Sequence, residues 1–167
     1  PGFATGFFNA NPVENFALMP VTARGYEGFD PVETLRHEYT HYFMTRHLGN
    51  WQPGWFMEGA ASFFETAHRG PDGAMRYGAA PPQIVGFLNE VGGMRFDDLE
   101  RSSRSFSDTE SMGRFYAKGW LITSHRYLGG KHSSSIAAYL DAKAKGAKTD
   151  TSLFADGTAQ FDQDLED

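Results

Sequence analysis

Two histidines, His37 and His41, lie four positions apart, and a glutamate, Glu38, directly follows the first of them. Residues at this spacing lie one turn apart on the same face of a helix, so both imidazoles can reach one metal ion. Glu38 projects from the neighbouring part of that face, where its carboxylate can reach a water on the metal. This arrangement is typical of a zinc-dependent hydrolase, although three fixed positions in five also occur by chance.

A third metal ligand is required, because zinc sites usually take at least three ligands from the protein. Glu58 is the candidate, since it is the only charged residue between Pro53 and Glu65. Burying a carboxylate on an apolar helix is costly unless a cation meets it. The sixteen residues between His41 and Glu58 allow a helix end, a turn and one turn of a returning helix. Two antiparallel helices then present three ligands to one point and leave a fourth position open.

The segment that carries the histidines has the signals of a helix from about Pro31 to His47. Asp30 is a candidate N-cap, proline suits the first helical position, and Glu33 stands where a capping box has glutamate. Gly49 and Asn50 predict the end of the helix. An apolar stripe is supplied by Leu35, Tyr39, Tyr42, Phe43 and Leu48.

The rest of the chain predicts a single α+β domain over residues 1–167, predominantly helical. Residues 1–29 are β-rich and predict a small N-terminal hairpin or sheet edge, whereas residues 30–167 are helical. Because the chain begins at Pro1 without a starting Met, we expect it to be N-terminally truncated. Beyond the second helix we predict a loop at 71–82, helices at 82–91, 96–101, 109–128 and 133–145, and a short helix in the acidic tail at 158–167.

Two motifs follow one another, His-Glu-x-x-His at 37–41 and Trp-x-x-Glu-Gly-x-Ala at 55–61. Together they resemble the gluzincin, or peptidase MA-like, zinc metallopeptidases, and most of all the smaller bacterial domains of that type. The resemblance implies a zincin helical core in which the two histidines and Glu58 bind Zn²⁺ and Glu38 is the general base. It also implies that one early strand binds the substrate backbone. The spacing between the motifs is slightly shorter than in thermolysin or aminopeptidase N, so the chain is assigned to neither.

A third segment, Tyr-Ala-Lys-Gly at 116–119, resembles the Tyr-x-Lys-Gly segment of aminopeptidase N-like enzymes. The resemblance implies that the Tyr116 hydroxyl stabilises the oxyanion of the tetrahedral intermediate. A phenol is a neutral donor near pH 7, which suits an oxygen that gains negative charge in the transition state. Core packing is the alternative role for Tyr116, since aromatic and apolar residues surround it in sequence. In all, the resemblance covers residues 30–128.

Simpler interpretations of these residues stay open. His37 and His41 would be surface histidines on an amphipathic helix, and Glu58 would be a carboxylate favoured by the dipole at a helix N-terminus. Glu65 and Ser62 are candidates for a hydrogen bond to a ligand histidine. For Glu65, an exposed and solvated carboxylate is an equal alternative.

Composition limits the partners of the chain. A net charge of −6 and the absence of a basic patch argue against nucleic acid as a partner. The chain has no cysteine, which excludes disulfides and thiolate zinc sites. No stretch has the length of a membrane span, and no signal peptide is present. The compartment stays open, and we favour an extracytoplasmic one, either periplasmic or secreted.

The expected function is therefore that of a zinc metallopeptidase, acting on a peptide or protein substrate. Two alternatives remain, a catalytically silent peptide-binding or protein-binding module on the same fold and a zinc hydrolase for another amide or ester. The sequence decides neither endopeptidase against exopeptidase action nor the oligomeric state, although the lack of an anionic motif for a substrate amino terminus favours endopeptidase action.

Overall fold

The computed structural model describes residues 7–9, 16–18, 30–49, 52–91, 94–101, 106, 108–128 and 133–146. Helices dominate and the strands are short, so the chain is a predominantly helical α+β protein, as the sequence predicted. Within these residues, no helix combines the length and the apolar character that crossing a membrane requires. The strands and α-helices are β1 (Phe7–Asn9), β2 (Phe16–Leu18), α1 (Pro31–Leu48), α2 (Gly54–Glu65), β3 (His68–Arg69), β4 (Met75–Arg76), α3 (Pro82–Val85), α4 (Phe96–Arg101), α5 (Thr109–Leu121) and α6 (Ser133–Ala144).

Helix α1 begins and ends where its sequence signals predict. The Asp30 side chain accepts a hydrogen bond from the backbone N–H of Val32 at 2.7 Å, which confirms the N-cap. Gly49 follows the last turn with a φ of 84°, a conformation that glycine adopts without strain. The apolar stripe, however, does not form the buried face: its members are exposed except for the half-buried Tyr42. The buried side chains of α1 are Thr34, Glu38, Thr40 and Met44.

Two antiparallel hairpins accompany the helices. Strands β1 and β2 pair with Phe7 opposite Leu18, so the described part of the N-terminal segment confirms the predicted hairpin. Strands β3 and β4 pair over two residues each, in a region where the sequence predicted only a helix end and a loop. That prediction was wrong because a ladder this short has no apolar alternation to reveal it. Its turn is closed instead by local hydrogen bonds, including that from the Gly70 N–H to the Ala74 carbonyl at 2.8 Å.

The later helices lie close to their predicted positions, but two of them are not α-helical throughout. Helix α4 has the predicted bounds, and α6 ends one residue early. The predicted helix at 82–91 is instead α3 followed by a 3₁₀ turn at Leu88–Glu90. The predicted helix at 109–128 is α-helical to Leu121 and continues as a π-helix at Ile122–Leu128. The predicted tail helix at 158–167 lies outside the described residues.

Helix α2 lies at the centre of the described structure and packs against both α1 and α5. The larger apolar cluster joins α2 to α4, α5 and α6 through rings such as Trp55, Phe96 and Tyr139, whose centroids lie 5.5–6.1 Å apart. A second cluster, around Phe63, lies between α2, α3 and α5. Tyr116 packs against both clusters, so the central helices share one continuous apolar layer.

Candidate metal centre

Helices α1 and α2 bring the three predicted ligands to one point. The Nε2 atoms of His37 and His41 each lie 3.3 Å from the same oxygen of Glu58, Oε2. One ligand atom from each of the three residues lies within 4.8 Å of the other two. The histidines share a face of α1 because they are one turn apart, and their ring centroids are 4.9 Å apart. Two adjacent helices therefore supply a three-ligand set without distortion of either backbone.

The spacing of these atoms fits a small divalent cation. Zinc binds imidazole nitrogen and carboxylate oxygen at about 2.0–2.2 Å in a tetrahedron, whose edges are then about 3.3–3.5 Å long. Both nitrogen-to-oxygen distances in the cluster equal 3.3 Å, the length of such an edge. Two imidazoles and one carboxylate also form a donor set that zinc prefers over Mg²⁺ or Ca²⁺, which take oxygen ligands. The side chains of this chain thus fit Zn²⁺ in type and in spacing.

The charge balance of the site also calls for a cation. Glu38, Glu58 and Glu65 are 6%, 7% and 3% exposed, and all three lie close to the histidines in charge interactions or hydrogen bonds. With neutral histidines, this region would hold three buried negative charges, a strongly unfavourable arrangement. Protons on the imidazoles or a metal ion can supply the missing positive charge. The surface-histidine interpretation is excluded, because the side chains of His37 and His41 are only 15% and 12% exposed.

The pKa values of the metal-free site reflect this lack of positive charge. Burial by itself lowers the pKa of His37, but hydrogen bonds to Glu58 and Glu65 outweigh burial and raise it to about 10. Burial likewise raises the pKa of Glu58, yet its hydrogen bonds to His37 and His41 prevail and lower it well below the usual range. In the metal-free site His37 is thus an imidazolium held by the carboxylates of Glu58 and Glu65. A bound metal ion would replace that proton.

Glu38 lies on the buried side of α1, beside the metal ligands. Its pKa is raised, because burial and the negative charges of Glu58 and Glu65 outweigh the opposing effect of His37 and His41. A carboxylate whose pKa is shifted upward accepts a proton more readily near neutral pH, as a general base requires. Its position agrees with the role that the sequence motif implies.

Glu65 supports one of the ligands from behind. Its Oε2 lies 2.6 Å from Nδ1 of His37, and its Oε1 accepts a hydrogen bond from Nε2 of Gln83 at 2.7 Å. Of the two alternatives for Glu65, the structure therefore has the buried hydrogen-bond partner rather than the solvated carboxylate. A carboxylate at Nδ1 keeps Nε2 free for a metal and fixes the plane of the ring. Ser62 is buried, and the hydrogen bonds of the two histidines among the described residues go to Glu58 and Glu65 rather than to its hydroxyl.

Tyr116 lies at the edge of the site. Its ring is stacked against that of His37 with 6.4 Å between the centroids and 27° between the planes. The neighbouring Lys118 is fully buried and donates from Nζ to the Val91 carbonyl at 3.3 Å, which ties α5 to the end of the 3₁₀ turn. Tyr116 packs in the apolar layer and also borders the candidate metal ligands, so its position is compatible with either of the two roles that the sequence left open.

The second motif, at 55–61, supplies one residue to the candidate site, Glu58, and uses others for packing. Trp55 donates from Nε1 to Glu100 at 3.2 Å and lies in the larger apolar cluster. A Cβ on Gly59 would lie 2.3 Å from the carbonyl oxygen of Gly119, and one on Gly119 would lie 2.7 Å from the Trp55 carbonyl oxygen. Only glycines allow this approach of α2 and α5. The motif glycines therefore bring the helix of Glu58 and the helix of Tyr116 together.

All five site residues named from the sequence lie in this region, with His37, His41 and Glu58 in mutual contact. Gln83 was missed. It lies 46 residues beyond His37 on a four-residue helix, and no local pattern marks a glutamine as a partner of a distant carboxylate. The chain matches no protein-family model, no curated protein and no solved structure.

Proposed function

We propose that the chain is a zinc-dependent metallopeptidase of the gluzincin type. The observation that carries the proposal is that His37 Nε2 and His41 Nε2 both lie one tetrahedral edge length, 3.3 Å, from Glu58 Oε2, with the three ligand atoms within 4.8 Å of one another. Three protein ligands with a fourth position left for water are typical of catalytic zinc, whereas structural zinc sites are closed by four protein ligands. Among the described residues, no fourth His, Cys, Asp or Glu joins the three in such a group.

Zinc, when bound, supplies an acidified water near neutral pH and a positive charge for the carbonyl oxygen under attack. Glu38 accepts the proton of the attacking water at its carboxylate and passes it to the leaving amine. Its raised pKa suits both transfers, because a base that is too weak cannot take the proton and one that is too strong cannot release it. The burial of Glu38 keeps this proton away from bulk solvent.

Two further residues prepare the site. Glu65 holds the His37 ring through Nδ1 so that Nε2 faces Glu58 and the metal position. Tyr116 stands beside that ring, and its phenol donates a hydrogen bond to the oxyanion that forms during attack. Both residues come from helices that pack directly on one another, so their positions are coupled through α2 and α5.

The test of the proposal is metal analysis of the purified chain, followed by digestion of a mixed peptide pool with and without a chelator. We expect one Zn²⁺ per chain and peptide cleavage that stops with chelator and returns with added zinc. Zinc without cleavage would replace the peptidase by a silent binding module or by a hydrolase of another amide or ester. Cleavage that continues after complete metal removal would contradict the mechanism.

The cleavage pattern answers a second question in the same experiment. Products cut at internal positions identify an endopeptidase, whereas stepwise loss of terminal residues identifies an exopeptidase. We expect internal cuts, because the sequence has no anionic motif for capturing the amino terminus of a substrate.

A further inference from the structure

A chain of hydrogen bonds runs from the protein surface to one of the candidate zinc ligands. It begins at Gln83 on α3, whose Nε2 donates to Glu65 Oε1 at 2.7 Å, and continues from Glu65 Oε2 to His37 Nδ1 at 2.6 Å. The three residues come from three different helices, α3, α2 and α1. Gln83 itself is exposed, whereas Glu65 is 3% exposed. The glutamine is thus the outer end of a buried polar contact.

The hydrogen bond from Gln83 restricts the rotation of the Glu65 carboxylate. The terminal torsion of a glutamate is broad, so a carboxylate held at one oxygen can still turn and weaken its remaining bond. A donor at the other oxygen restricts this rotation and satisfies an atom that would otherwise be buried without a partner. The orientation of the carboxylate in turn sets the plane of the His37 ring.

We propose that Gln83 is a positioning residue of the metal centre. Acting through Glu65, it holds the His37 ring so that Nε2 points to the place that it shares with His41 and Glu58. This inference rests on the proposed zinc site and extends it to a residue outside the metal ligands and their direct partners. It predicts that a surface glutamine affects zinc affinity without touching the metal.

Gln83 is not needed to keep α3 in place. Ile84, the next residue, is 1% exposed and belongs to the apolar cluster around Phe63. The α3 turn is also closed by the hydrogen bond from the Phe87 N–H to the Ile84 carbonyl at 3.0 Å. An exposed side chain beside such an anchor can be replaced without unfolding its helix. Substitution of Gln83 therefore tests the hydrogen bond and not the fold.

The experiment measures the dissociation constant for Zn²⁺ alone, by competition with a chromophoric chelator, in the whole chain. Gln83→Met keeps the length of the side chain and removes its donor, and Val85→Ala is the matched control on the same helix, at an exposed position. Because direct partners of zinc-binding histidines typically change affinity about 10–100-fold, we expect Gln83→Met, one bond further out, to weaken binding about 3–10-fold. Val85→Ala should keep the parent affinity.

A double-mutant cycle decides whether Gln83 acts through Glu65. In a Glu65→Ala background, or in Glu65→Gln if the alanine variant does not fold, Gln83→Met should have no further effect on the zinc dissociation constant. Equal affinities of Gln83→Met and the parent would overturn the role of Gln83 and leave the zinc site intact. The same weakening in both backgrounds would also overturn it. A parent chain that binds no zinc would instead remove the metal centre, and this inference with it.

Discussion

Two buried clusters in this chain, each built around glutamate, differ in how their negative charge is balanced. The first, the Glu100 cluster, consists of Glu100, Trp55, Tyr139 and Lys143. Trp55 Nε1 donates to Glu100 at 3.2 Å, the Tyr139 hydroxyl donates to the same oxygen, and Lys143 forms an ion pair with the other. Burial and the hydrogen bond to Glu100 raise the pKa of Tyr139, so the phenol stays a donor. Within the part of the chain that the structure describes, the negative charge of Glu100 thus meets a cation and two neutral donors.

The candidate metal centre has the opposite charge balance. Three buried carboxylates, Glu38, Glu58 and Glu65, surround two histidines, and no Lys or Arg side chain forms a salt bridge with them among the described residues. The difference shows that burial of a glutamate does not by itself indicate a functional site. A carboxylate that lysine and neutral donors of its own chain balance needs no ligand, whereas a cluster that still lacks positive charge takes up either a proton on its histidines or a cation.

The largest expected effect comes from removing a metal ligand. His41→Ala should abolish zinc binding and with it peptide cleavage. At a concentration of 100 times its dissociation constant, zinc stabilises a protein by about 2.7 kcal/mol, which in a chain of this size raises Tm by about 5–10 °C. Thermal unfolding with and without zinc should show this shift in the parent and none in His41→Ala. Full zinc occupancy of the variant would remove His41 from the ligand set.

Glu38→Gln should separate binding from catalysis. The amide keeps the shape of the side chain but cannot accept the proton, so cleavage should fall by about 10²–10⁴-fold. Zinc content should equal that of the parent, because Glu38 is not a ligand. Metal analysis and the rate of cleavage of one peptide from the pool measure the two quantities. Parental cleavage by this variant would refute the general-base role.

Tyr116→Phe tests the role of the hydroxyl and keeps the packed ring. Loss of one oxyanion donor typically lowers kcat by about 10²–10³-fold. Steady-state kinetics should show this loss in kcat, with zinc affinity unchanged. If the rate does not change, Tyr116 contributes packing alone.

A substitution in the Glu100 cluster should change the stability of the protein and not its metal content. Glu100→Ala leaves the buried donors of Trp55 and Tyr139 without their acceptor, so we expect the free energy of unfolding to fall by about 2–4 kcal/mol. Urea unfolding measures this loss, and the folded variant should retain the zinc of the parent. Glu90→Ala is the matched control, because the exposed Glu90 lies 3.9 Å from Arg114 and such pairs contribute about 0–1 kcal/mol. Loss of zinc in Glu100→Ala would contradict the division between the two clusters.

The last prediction concerns the pH dependence of the metal-free chain. The folded pKa of His37 is about 10 against an ordinary value of 6.5, so its contribution to stability is fully present below pH 6.5 and is lost as the pH rises towards 10. Zinc displaces that proton, so zinc affinity should rise over the same range. Urea unfolding with chelator and zinc titrations across this range measure both trends. Stability that does not change between these pH values would show that His37 is not held as an imidazolium.

Local signals predicted most of what is local in this chain. Asp30 and Gly49 mark the ends of α1 in the sequence, and both form the expected caps. The ligand spacing was also readable, because helical periodicity relates His37 to His41 by itself. The β3–β4 hairpin and the π-helical end of α5 were missed, since two-residue strands and a change of helical hydrogen bonding leave no periodic pattern.

The exposed stripe on α1 shows where the usual reasoning from hydrophobicity fails. Leu35, Tyr39 and Phe43 are 46%, 61% and 51% exposed, although apolar residues at this spacing normally form the buried face of a helix. The face of α1 that meets α2 carries His37, Glu38 and His41 instead. A helix that presents a polar site to the interior reverses the ordinary pattern, and here the reversal coincides with the candidate metal centre.

The amino-acid sequence by itself determined the helical class, the caps of α1 and the residue types that suit zinc, because each depends on neighbours within a few positions. Tertiary structure alone decided that Glu58 Oε2 lies between two imidazoles and that Glu65 contacts Nδ1 of His37. It also decided that Gln83 donates a hydrogen bond to Glu65 from another helix. These contacts join residues 17–28 positions apart in the chain. They exist because α2 packs on α1 and because Ile84 of α3 packs in the same apolar cluster as Phe63 of α2, which no local pattern specifies.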